Sequence, residues 1–352
     1  MEAILTTNAT ELSPLPGLLL DWYDAHARDL PWRMGPEARR AGKRPDPYHV
    51  WLCEIMMQQT TIPHGTPYFL KFIGRWPSIE DLAAAKDEEV MAAWAGLGYY
   101  ARARNLLKCA REVTARGSFP ETEAELRKLP GIGPYTAGAM AALAFGQPAA
   151  AVDGNVERVF SRLLAMTGEW KEEKKRIGDV VRELVPAKHP GAFAEALMDL
   201  GATLCTPTKP NCMLCPLTSL CAGRASGEPE RFPIKPAKVP KPKRRGRAFI
   251  LVDGEAVWLT RLPPKGLLGG MLALPSDGWR EETFDADRDF PARAENWEQI
   301  GEVRHVFTHF ALTLEVWQGA LKGKRPDGAW TPIKDVDGLP SVFKKAFRLL
   351  KP

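Results

Sequence analysis

The chain has 352 residues, of which 45% are hydrophobic and 26% are charged, and its formal net charge at pH 7 is +5. This length is enough for two domains with separate cores, and no apolar run is long enough to span a membrane. The first residues carry no basic leader of the kind found in secretory signals, so we expect a cytoplasmic protein in a reducing compartment. The modest positive charge is compatible with a nucleic-acid partner without favouring one.

Residues 16–220 carry apolar side chains at helical spacing, separated by turns rich in glycine and proline. No strand-like alternation interrupts this pattern, which predicts an all-helical first domain over residues 1–221. Residues 35–47 are polar and contain few helix formers, so we expect an exposed loop there, either solvated or near DNA. The pattern predicts helices at 17–27, 49–61, 87–96, 101–116, 122–128, 136–145 and 156–166.

The composition changes after residue 221. Residues 222–247 hold nine lysines and arginines, two glutamates and five prolines, which predicts a basic, extended linker. From residue 248 the apolar residues alternate as they do in strands, with a hairpin near 248–262 and a long alternating run at 305–319. The last residues form an amphipathic helical pattern, so residues 248–352 are predicted to be an α+β domain.

Four cysteines lie close together at the end of the helical region. Cys205, Cys212, Cys215 and Cys221 follow the spacing C-x6-C-x2-C-x5-C within a polar, proline-rich segment. In a reducing compartment this spacing predicts a metal site rather than disulfides. Both a zinc ion and an iron–sulfur cluster accept four thiolates, and the spacing alone does not decide between them.

A glycine-rich turn, Leu129-Pro130-Gly131-Ile132-Gly133, joins two of the predicted helices. Gly131 and Gly133 allow the backbone to turn sharply and expose successive N–H groups at the start of the second helix. Those donors, together with the positive end of the helix dipole, favour a phosphate group, although many such glycine pairs only form a turn.

Two carboxylates have patterns that suit acid–base chemistry. Asp153 precedes the helix that starts near Val156, where it can cap the helix and stay ionised. Glu54 lies in an otherwise apolar helix, where desolvation would raise its pKa, although an exposed position or a buried ion pair is also open. One carboxyl that donates a proton and one that stays charged is the arrangement that cleaves glycosidic bonds.

The combined motifs resemble the helix-hairpin-helix DNA glycosylases that carry a [4Fe-4S] cluster, and among them the adenine DNA glycosylase, or MutY-like, family. The resemblance is carried by LPGIGPYTAGA, VDGNVERV, VWLCEIMMQQT, GLGYYARARNL, MDLGATLCT and the four cysteines. It covers residues 16–221 densely and the C-terminal domain thinly, where it implies a Nudix-like fold. It implies that the cysteines hold an iron–sulfur cluster with a structural role.

The resemblance also implies an activity, the excision of adenine mispaired with 8-oxoguanine or guanine. Glu54 matches the catalytic acid of the family, and Asp153 matches the carboxylate that stabilises the cationic sugar. Tyr135 occupies the position at which bifunctional relatives carry a lysine that forms a Schiff base. Because a phenol cannot form that imine, Tyr135 predicts a monofunctional enzyme.

Further residues are assigned by the resemblance alone. The adenine pocket would be formed by Arg28, Trp32, Arg33, Met57, Ile62 and Glu195. The DNA contacts would be made by Gln59, Tyr99, Gly131, Gly133, Thr308 and His309. The family usually has leucine at the position of Met57 and serine at the position of Thr308. The carboxylate cluster of the Nudix hydrolases is absent, since 280–282 lacks its spacing, so pyrophosphatase activity is not expected.

These observations predict a monomeric base-excision repair enzyme whose partner is double-stranded DNA, with no membrane contact. Two alternatives remain. An endonuclease-III-like glycosylase and lyase for damaged pyrimidines is disfavoured by Tyr135 and by the second domain. A non-catalytic DNA-binding iron–sulfur protein is disfavoured by the presence of both Glu54 and Asp153.

Overall fold

The computed structural model describes residues 11–237, 239–263, 266–280, 290–292 and 294–350. The chain divides into two compact units, Met1–Ala85 with Asn105–Ala237, and Lys86–Arg104 with Lys238–Pro352. The predicted domain limits at 221 and 247 stay predictions. Among the described residues, no helix has the length and apolar character that a membrane crossing requires.

The helices are short and follow one another closely along the chain. They are α1 Leu15–His26, α2 Pro36–Arg40, α3 Pro47–Met56, α4 Ile62–Arg75, α5 Ile79–Ala84, α6 Asp87–Trp94, α7 Ala101–Arg116, α8 Glu123–Leu126, α9 Pro134–Leu143, α10 Gly154–Leu163, α11 Trp170–Leu184, α12 Pro190–Thr203, α13 Ala222–Ala225 and α14 Ser341–Phe347. Between residues 11 and 220 the structure has no strand, as the pattern predicts.

The core of the first unit forms where α1, α10 and α12 pack together. Leu15, Leu19 and Tyr23 are spaced four residues apart and therefore lie on one face of α1, where all three are buried. They pack against the apolar faces of α10 and α12, including Phe160 and Leu197. This core fixes the position of α10, whose N-terminus carries Asp153, one of the candidate site residues.

Two helical predictions are corrected by the structure. The helix expected at 49–61 ends at Met56, and residues 57–59 form a turn in which Gln59 has a φ of 55°. The polar segment 35–47, expected to be an exposed loop, contains the helix α2. One side chain of this helix is inserted into the charged network described below, so the segment is not merely solvated.

The proline-rich segment 222–247 is only partly extended. It begins with α13, where a Cβ at Gly223 would lie 2.6 Å from the carbonyl oxygen of Arg162, so this helix packs closely on α10. The first strand begins at Lys243. The spacer without regular structure is therefore shorter than the composition predicts.

The second unit contains a mixed sheet. Its strands are β1 Lys243–Asp253, β2 Ala256–Arg261, β3 Leu272–Ala273, β4 Ser276–Arg280, β5 Ala294–Val306, β6 Ala311–Leu321 and β7 Ala329–Pro332. The strand order is β3-β2-β1-β6-β5, and β4 and β7 pair with β1 and β2. Strands β1 and β6 are parallel, and the predicted β1–β2 hairpin is confirmed by the pairing of Asp253 with Ala256.

The long alternating run at 305–319 is not one strand. Strands β5 and β6 are antiparallel, and residues 307–310 form the turn between them, closed by a 2.8 Å hydrogen bond from Phe307 N to the carbonyl oxygen of Phe310. Phe310 is buried, whereas Thr308 and His309 are exposed at the tip. The core beneath lies between the sheet and α14, which contributes Val342 and Phe343.

Candidate active site

A cavity of about 700 Å³ lies in the first unit, where α3, the turn before α9 and the start of α10 meet. Twelve of the residues singled out from the sequence line it. They are Arg28, Trp32, Arg33, Glu54, Met57, Gln59, Ile62, Gly131, Gly133, Tyr135, Asp153 and Glu195. Residues from five separate stretches of sequence are thus brought to one concave surface, which is typical of a ligand site.

Glu54 is positioned by α3, whose other residues are mostly buried. Its neighbours Cys53 and Ile55 are buried, while Glu54 itself is half-buried and faces the cavity. The pKa of Glu54 is raised to about 7, and burial is the main cause. A hydrogen bond with Tyr135 and the charge of Arg33 partly offset this rise, whereas the charge of Asp153 adds to it. A carboxyl with this pKa is partly protonated near neutral pH and can act as a proton donor.

Asp153 caps the N-terminus of α10. Its Oδ1 accepts hydrogen bonds from the backbone N–H groups of Asn155 and Val156 at 2.9 and 2.8 Å, and its Oδ2 accepts one from Asn155 Nδ2 at 2.8 Å. Three donors fix the orientation of this carboxylate, which lies at the positive end of the helix dipole. Glu54 and Asp153 therefore line one cavity in two different electrostatic environments.

Tyr135 lies in the first turn of α9, directly after the glycine-rich turn. Gly131 has a φ of 78°, which suits glycine, and a Cβ there would lie 2.8 Å from Asn105 Cβ. Gly133 is the N-cap of α9 and forms no side-chain cap, so N–H groups at this helix start are open to a ligand. Burial raises the pKa of Tyr135 well above its usual value, and the charge of Glu54 adds to this rise, so the hydroxyl stays protonated.

One side of the cavity is built on a buried charge network. Asp199 is fully buried and accepts hydrogen bonds from Arg28 Nε at 2.6 Å and from Arg33 Nη1 at 2.8 Å. Burial alone would raise the pKa of Asp199, but these hydrogen bonds outweigh burial and hold the pKa below its usual value. Asp199 thus fixes two arginines of the cavity wall.

Glu195, the other carboxylate of this network, is 4% exposed. Its Oε2 accepts a hydrogen bond from the hydroxyl of Tyr23 at 2.5 Å and another from Nη2 of Arg39 in α2. Its Oε1 lies 3.6 Å from Nε of Arg33. Sequence reasoning missed Tyr23, Arg39 and Asp199.

Tyr99, Thr308 and His309 do not line this cavity; they belong to the second unit. Thr308 Oγ1 lies 3.3 Å from the hydroxyl of Tyr99, within hydrogen-bonding distance. All three side chains are exposed, and Tyr99 has a φ of 49°, which is unusual for a residue with a side chain. Two sequence-predicted DNA contacts, Tyr99 and Thr308, are therefore adjacent within one unit.

The four cysteines of the C-x6-C-x2-C-x5-C loop line one small cavity of about 30 Å³. Two of the sulfurs accept hydrogen bonds, Cys205 from Arg162 Nη1 at 3.3 Å and Cys221 from the backbone N–H of Arg224 at 3.4 Å. Among the described residues, no group of three or more His, Cys, Asp or Glu side chains has the placement of ligands around a metal ion. The donor set itself, four thiols around one cavity with N–H donors to two of the sulfurs, fits a metal centre held by thiolates.

Comparison with known proteins assigns the family. A model of the HhH-GPD superfamily base excision DNA repair protein matches residues 52–186, and a NUDIX domain model matches 247–349. The adenine DNA glycosylase of Homo sapiens is 34% identical over an alignment of 386 positions. This alignment covers 92% of this chain and 70% of the human protein. The chain belongs to the adenine DNA glycosylase family. A second member, from Buchnera aphidicola subsp. Acyrthosiphon pisum, is 32% identical over 84% of each chain.

Solved structures similar to this adenine DNA glycosylase family member agree with the fold. A thermostable thymine-DNA glycosylase is 30% identical, with a TM-score of 0.54 over 62% of this chain and 100% of its own. A non-covalent complex of endonuclease III with DNA is 22% identical, with a TM-score of 0.51 over 63% of this chain and 99% of its own, and supports the fold alone. The predicted class, a mainly α helix-hairpin-helix glycosylase domain followed by an α+β Nudix-like domain, is confirmed.

The Nudix-like part of this family member begins, in the matched region, within β1. The residues that decide the absence of the hydrolase signature, 281 and 282, lie outside the described residues. The expectation of no pyrophosphatase activity rests on the amino-acid sequence, in which the spacing of the carboxylates differs from that signature.

Proposed function

We propose that the chain is a monofunctional DNA glycosylase that releases adenine mispaired with 8-oxoguanine or guanine and leaves an abasic site in double-stranded DNA. The observation that carries this proposal is that two different carboxyl groups line one cavity. The pKa of Glu54 is about 7, and Asp153 accepts hydrogen bonds from three donors. A proton donor and a fixed negative charge are the two groups needed to cleave an N-glycosidic bond through a cationic sugar.

The adenine must first leave the base stack, because its bond to the sugar is inaccessible in the duplex. Glu54 then donates its proton to the flipped base, and the bond between the base and C1′ breaks with its electron pair going to the base. Asp153 stabilises the positive charge that develops on the sugar. Because the base has taken up the proton of Glu54, it leaves as a neutral molecule. A water molecule then adds to C1′, and the proton that it loses restores Glu54 to its acid form.

Tyr135 limits the reaction to this hydrolysis. A lyase needs an amine that attacks C1′ and forms an imine, and no lysine is among the described residues that line the cavity. The Tyr135 hydroxyl instead hydrogen-bonds to Glu54. The tyrosine thus helps to position the acid, and the DNA strand remains intact after the base is lost.

The purine pocket distinguishes bases by their hydrogen-bonding groups. An ionised carboxylate can only accept hydrogen bonds, so Glu195 favours a base that presents a donor, as the exocyclic amine of adenine does. Trp32, Met57 and Ile62 supply the apolar surface around the base. The guanine carbonyl at the corresponding position would face Glu195 as a second acceptor and would be rejected.

The remaining predicted contacts hold the duplex. Open N–H groups at the start of α9 suit a phosphate, and such contacts fix the position of the protein without reading sequence. Gln59 and Tyr99 both have positive φ, at 55° and 49°, and strain of this kind is frequent at functional sites. We assign them to the disrupted base pair, and Thr308 and His309 to the recognition of 8-oxoguanine.

We also propose that the four cysteines hold a [4Fe-4S] cluster. Cys205, Cys212, Cys215 and Cys221 would each supply one thiolate, and Arg162 would donate a hydrogen bond to a ligand sulfur. Its contribution when bound is structural, as it ties the loop after α12 to α10. Equal amounts of iron and acid-labile sulfide in the purified protein would support the cluster, whereas one zinc per chain would overturn it.

The function is tested on duplexes with adenine opposite 8-oxoguanine, guanine or thymine, each analysed with and without alkali. We expect adenine release opposite 8-oxoguanine and guanine, with strand breaks only after alkali, and no DNA adduct after borohydride treatment. Release of damaged pyrimidines instead of adenine would contradict the proposed substrate. Strand cleavage without alkali together with a trapped adduct would contradict the monofunctional mechanism.

A further inference from the structure

The helix α2 and the residues that follow it form a structured segment beside the purine pocket. Gly42 has a φ of 74° and donates its N–H to the carbonyl of Arg39 at 2.8 Å, while Lys43 donates to the carbonyl of Ala38 at 3.0 Å. These two hydrogen bonds form a Schellman motif, which ends a helix in a fixed geometry. The segment is therefore a capped helix and not a loose basic loop.

Arg39 projects from this helix into the buried network. Its guanidinium lies over the ring of Tyr23 at 5.6 Å, and its Nη1 donates to the Tyr23 hydroxyl at 3.3 Å. Its Nη2 donates to Oε2 of Glu195, and the side chains of Arg39 and Glu195 are 14% and 5% exposed. The guanidinium thus contacts a carboxylate that lines the cavity without lining the cavity itself.

The other two arginines of the network are held mainly by Asp199. Arg28 makes its ion pair with Asp199, and Arg33 lies 2.8 Å from Asp199 but 3.6 Å from Glu195. Within the described part of the chain, Glu195 therefore has two ion pairs, and the one with Arg39 is the closer and is also a hydrogen bond. Loss of the closer partner would leave this buried carboxylate with Arg33 alone, too distant for a hydrogen bond, which favours its neutral form or a different orientation.

The two carboxylate oxygens of Glu195 have different hydrogen-bonding partners. Oε2 is occupied by the hydroxyl of Tyr23 and by Arg39. Oε1 has no described donor within hydrogen-bonding distance, since Arg33 Nε is 3.6 Å away. One oxygen is thus held by the protein, and the other remains open to a base in the cavity.

We propose that Arg39 is a positioning residue of the purine pocket, which keeps Glu195 ionised and oriented so that Oε1 accepts a hydrogen bond from the exocyclic amine. This proposal rests on the proposed function, because it assumes that the base in the cavity is adenine. It assigns α2 to substrate selection, and the chemistry at Glu54 and Asp153 remains separate from it.

The experiment compares adenine with purine, the same base without the exocyclic amine, each placed opposite 8-oxoguanine. Single-turnover release is measured for the wild type, Arg39→Ala, Arg39→Lys and Arg40→Ala. Arg40 is the matched control, since it lies next to Arg39 in α2 but its side chain is 62% exposed. Arg39→Ala is expected to slow adenine release about 10-fold or more, the value of a hydrogen bond to a charged group, and to leave purine release nearly unchanged.

Arg39→Lys is expected to recover part of the loss, because it keeps the charge without the two-pronged geometry of the guanidinium. Arg40→Ala is expected to behave as the wild type. If Arg39→Ala does not fold, Arg39→Gln, which retains most of the side chain, takes its place in the same comparison. Equal slowing of adenine and purine release would overturn the proposal, because a general structural defect has that effect.

A second mutation decides whether Arg39 acts through Glu195. In a Glu195→Gln background, the additional change Arg39→Ala is expected to have little further effect, since the two residues then form one interacting pair. Independent, multiplicative losses would overturn the proposal. A wild type that releases neither base would overturn the proposed function itself, and that result differs from every outcome that concerns Arg39 alone.

Discussion

The candidate active-site cavity and the turn at 307–310 place their polar side chains in opposite environments. In the cavity, charged groups are removed from water and each is matched by a partner, as Asp199 is by Arg28 and Arg33. In the turn, Phe310 is buried in the core of the second unit, whereas Thr308 and His309 are exposed at the tip. Bond cleavage needs a low-dielectric site that shifts pKa values, whereas recognition of a base in DNA needs exposed groups on a rigid support.

This comparison predicts that substitutions in the cavity alter the rate of bond cleavage, and that substitutions in the turn alter the choice of opposing base. The largest effect is expected for Glu54→Gln, which removes the proton donor but keeps the size of the side chain. Adenine release in a single turnover should fall by about 10²–10⁴-fold, the usual contribution of general acid catalysis. Binding of the mismatched duplex, measured by fluorescence anisotropy, should be retained.

Glu183→Gln is the control for that variant, since Glu183 is an exposed residue of α11. It should match the wild type in both assays. A Glu54→Gln enzyme that releases adenine at the wild-type rate would remove Glu54 from the mechanism and leave the raised pKa without a catalytic role.

Asp153→Asn should have the next largest effect. The amide oxygen can still accept hydrogen bonds from the N–H groups of Asn155 and Val156, so the cap of α10 should remain and stability should change little. The negative charge opposite the sugar is lost, and we expect adenine release to slow by about 10²-fold, similar to the loss of one electrostatic stabiliser in other enzymes. Thermal melting checks the cap, and an unchanged rate would contradict the electrostatic role.

The sequence predicted the parts of this site that depend on local patterns. Asp153 precedes a helix, the two glycines form a turn between helices, and Glu54 follows an apolar stretch, so each can be recognised within a short window. Arg39 and Tyr23 could not be recognised in this way, because they meet Glu195 across 156 and 172 residues of sequence. Only the packing of α1, α2 and α12 brings these three residues together.

Turns set the other limits of sequence reasoning. The apolar spacing continues through Gln59 and through residues 307–310, so periodicity alone predicts a longer helix and an unbroken strand. In the structure, a turn interrupts both the predicted helix and the predicted strand, and the spacing of apolar residues does not indicate either turn. The roles of the residues that line the cavity stay predictions, although their assembly in one place is observed.

A stability measurement sharpens the account of the cavity. The pKa of Glu54 in the folded protein, about 7, lies above the ordinary value of 4.5. The folded state therefore holds this proton more tightly, and the free energy of unfolding falls as pH rises from about 4.5 to 7. Above pH 7, Glu54→Gln should be more stable than the wild type by on the order of 3 kcal/mol, and the difference should disappear at low pH. Urea unfolding at several pH values tests this, and an equal difference at all pH values would contradict it.

The smallest effect is expected in the turn. Thr308→Ala removes one exposed hydroxyl, and the preference for 8-oxoguanine over guanine should fall by up to about 10-fold, the value of one hydrogen bond. Adenine release opposite guanine should be nearly unchanged. Lys322→Ala, another exposed position of the second unit, is the control. Equal losses on both duplexes would assign Thr308 to general DNA binding and not to recognition.

The measurement that tests the central claim most directly is the pH dependence of adenine release in a single turnover. Because Glu54 must be protonated, the rate should be highest below about pH 6, half-maximal near pH 7, and about tenfold lower for each further pH unit. A rate that stays constant from pH 6 to pH 9 would contradict the account, because a carboxyl with this pKa would then not supply the proton.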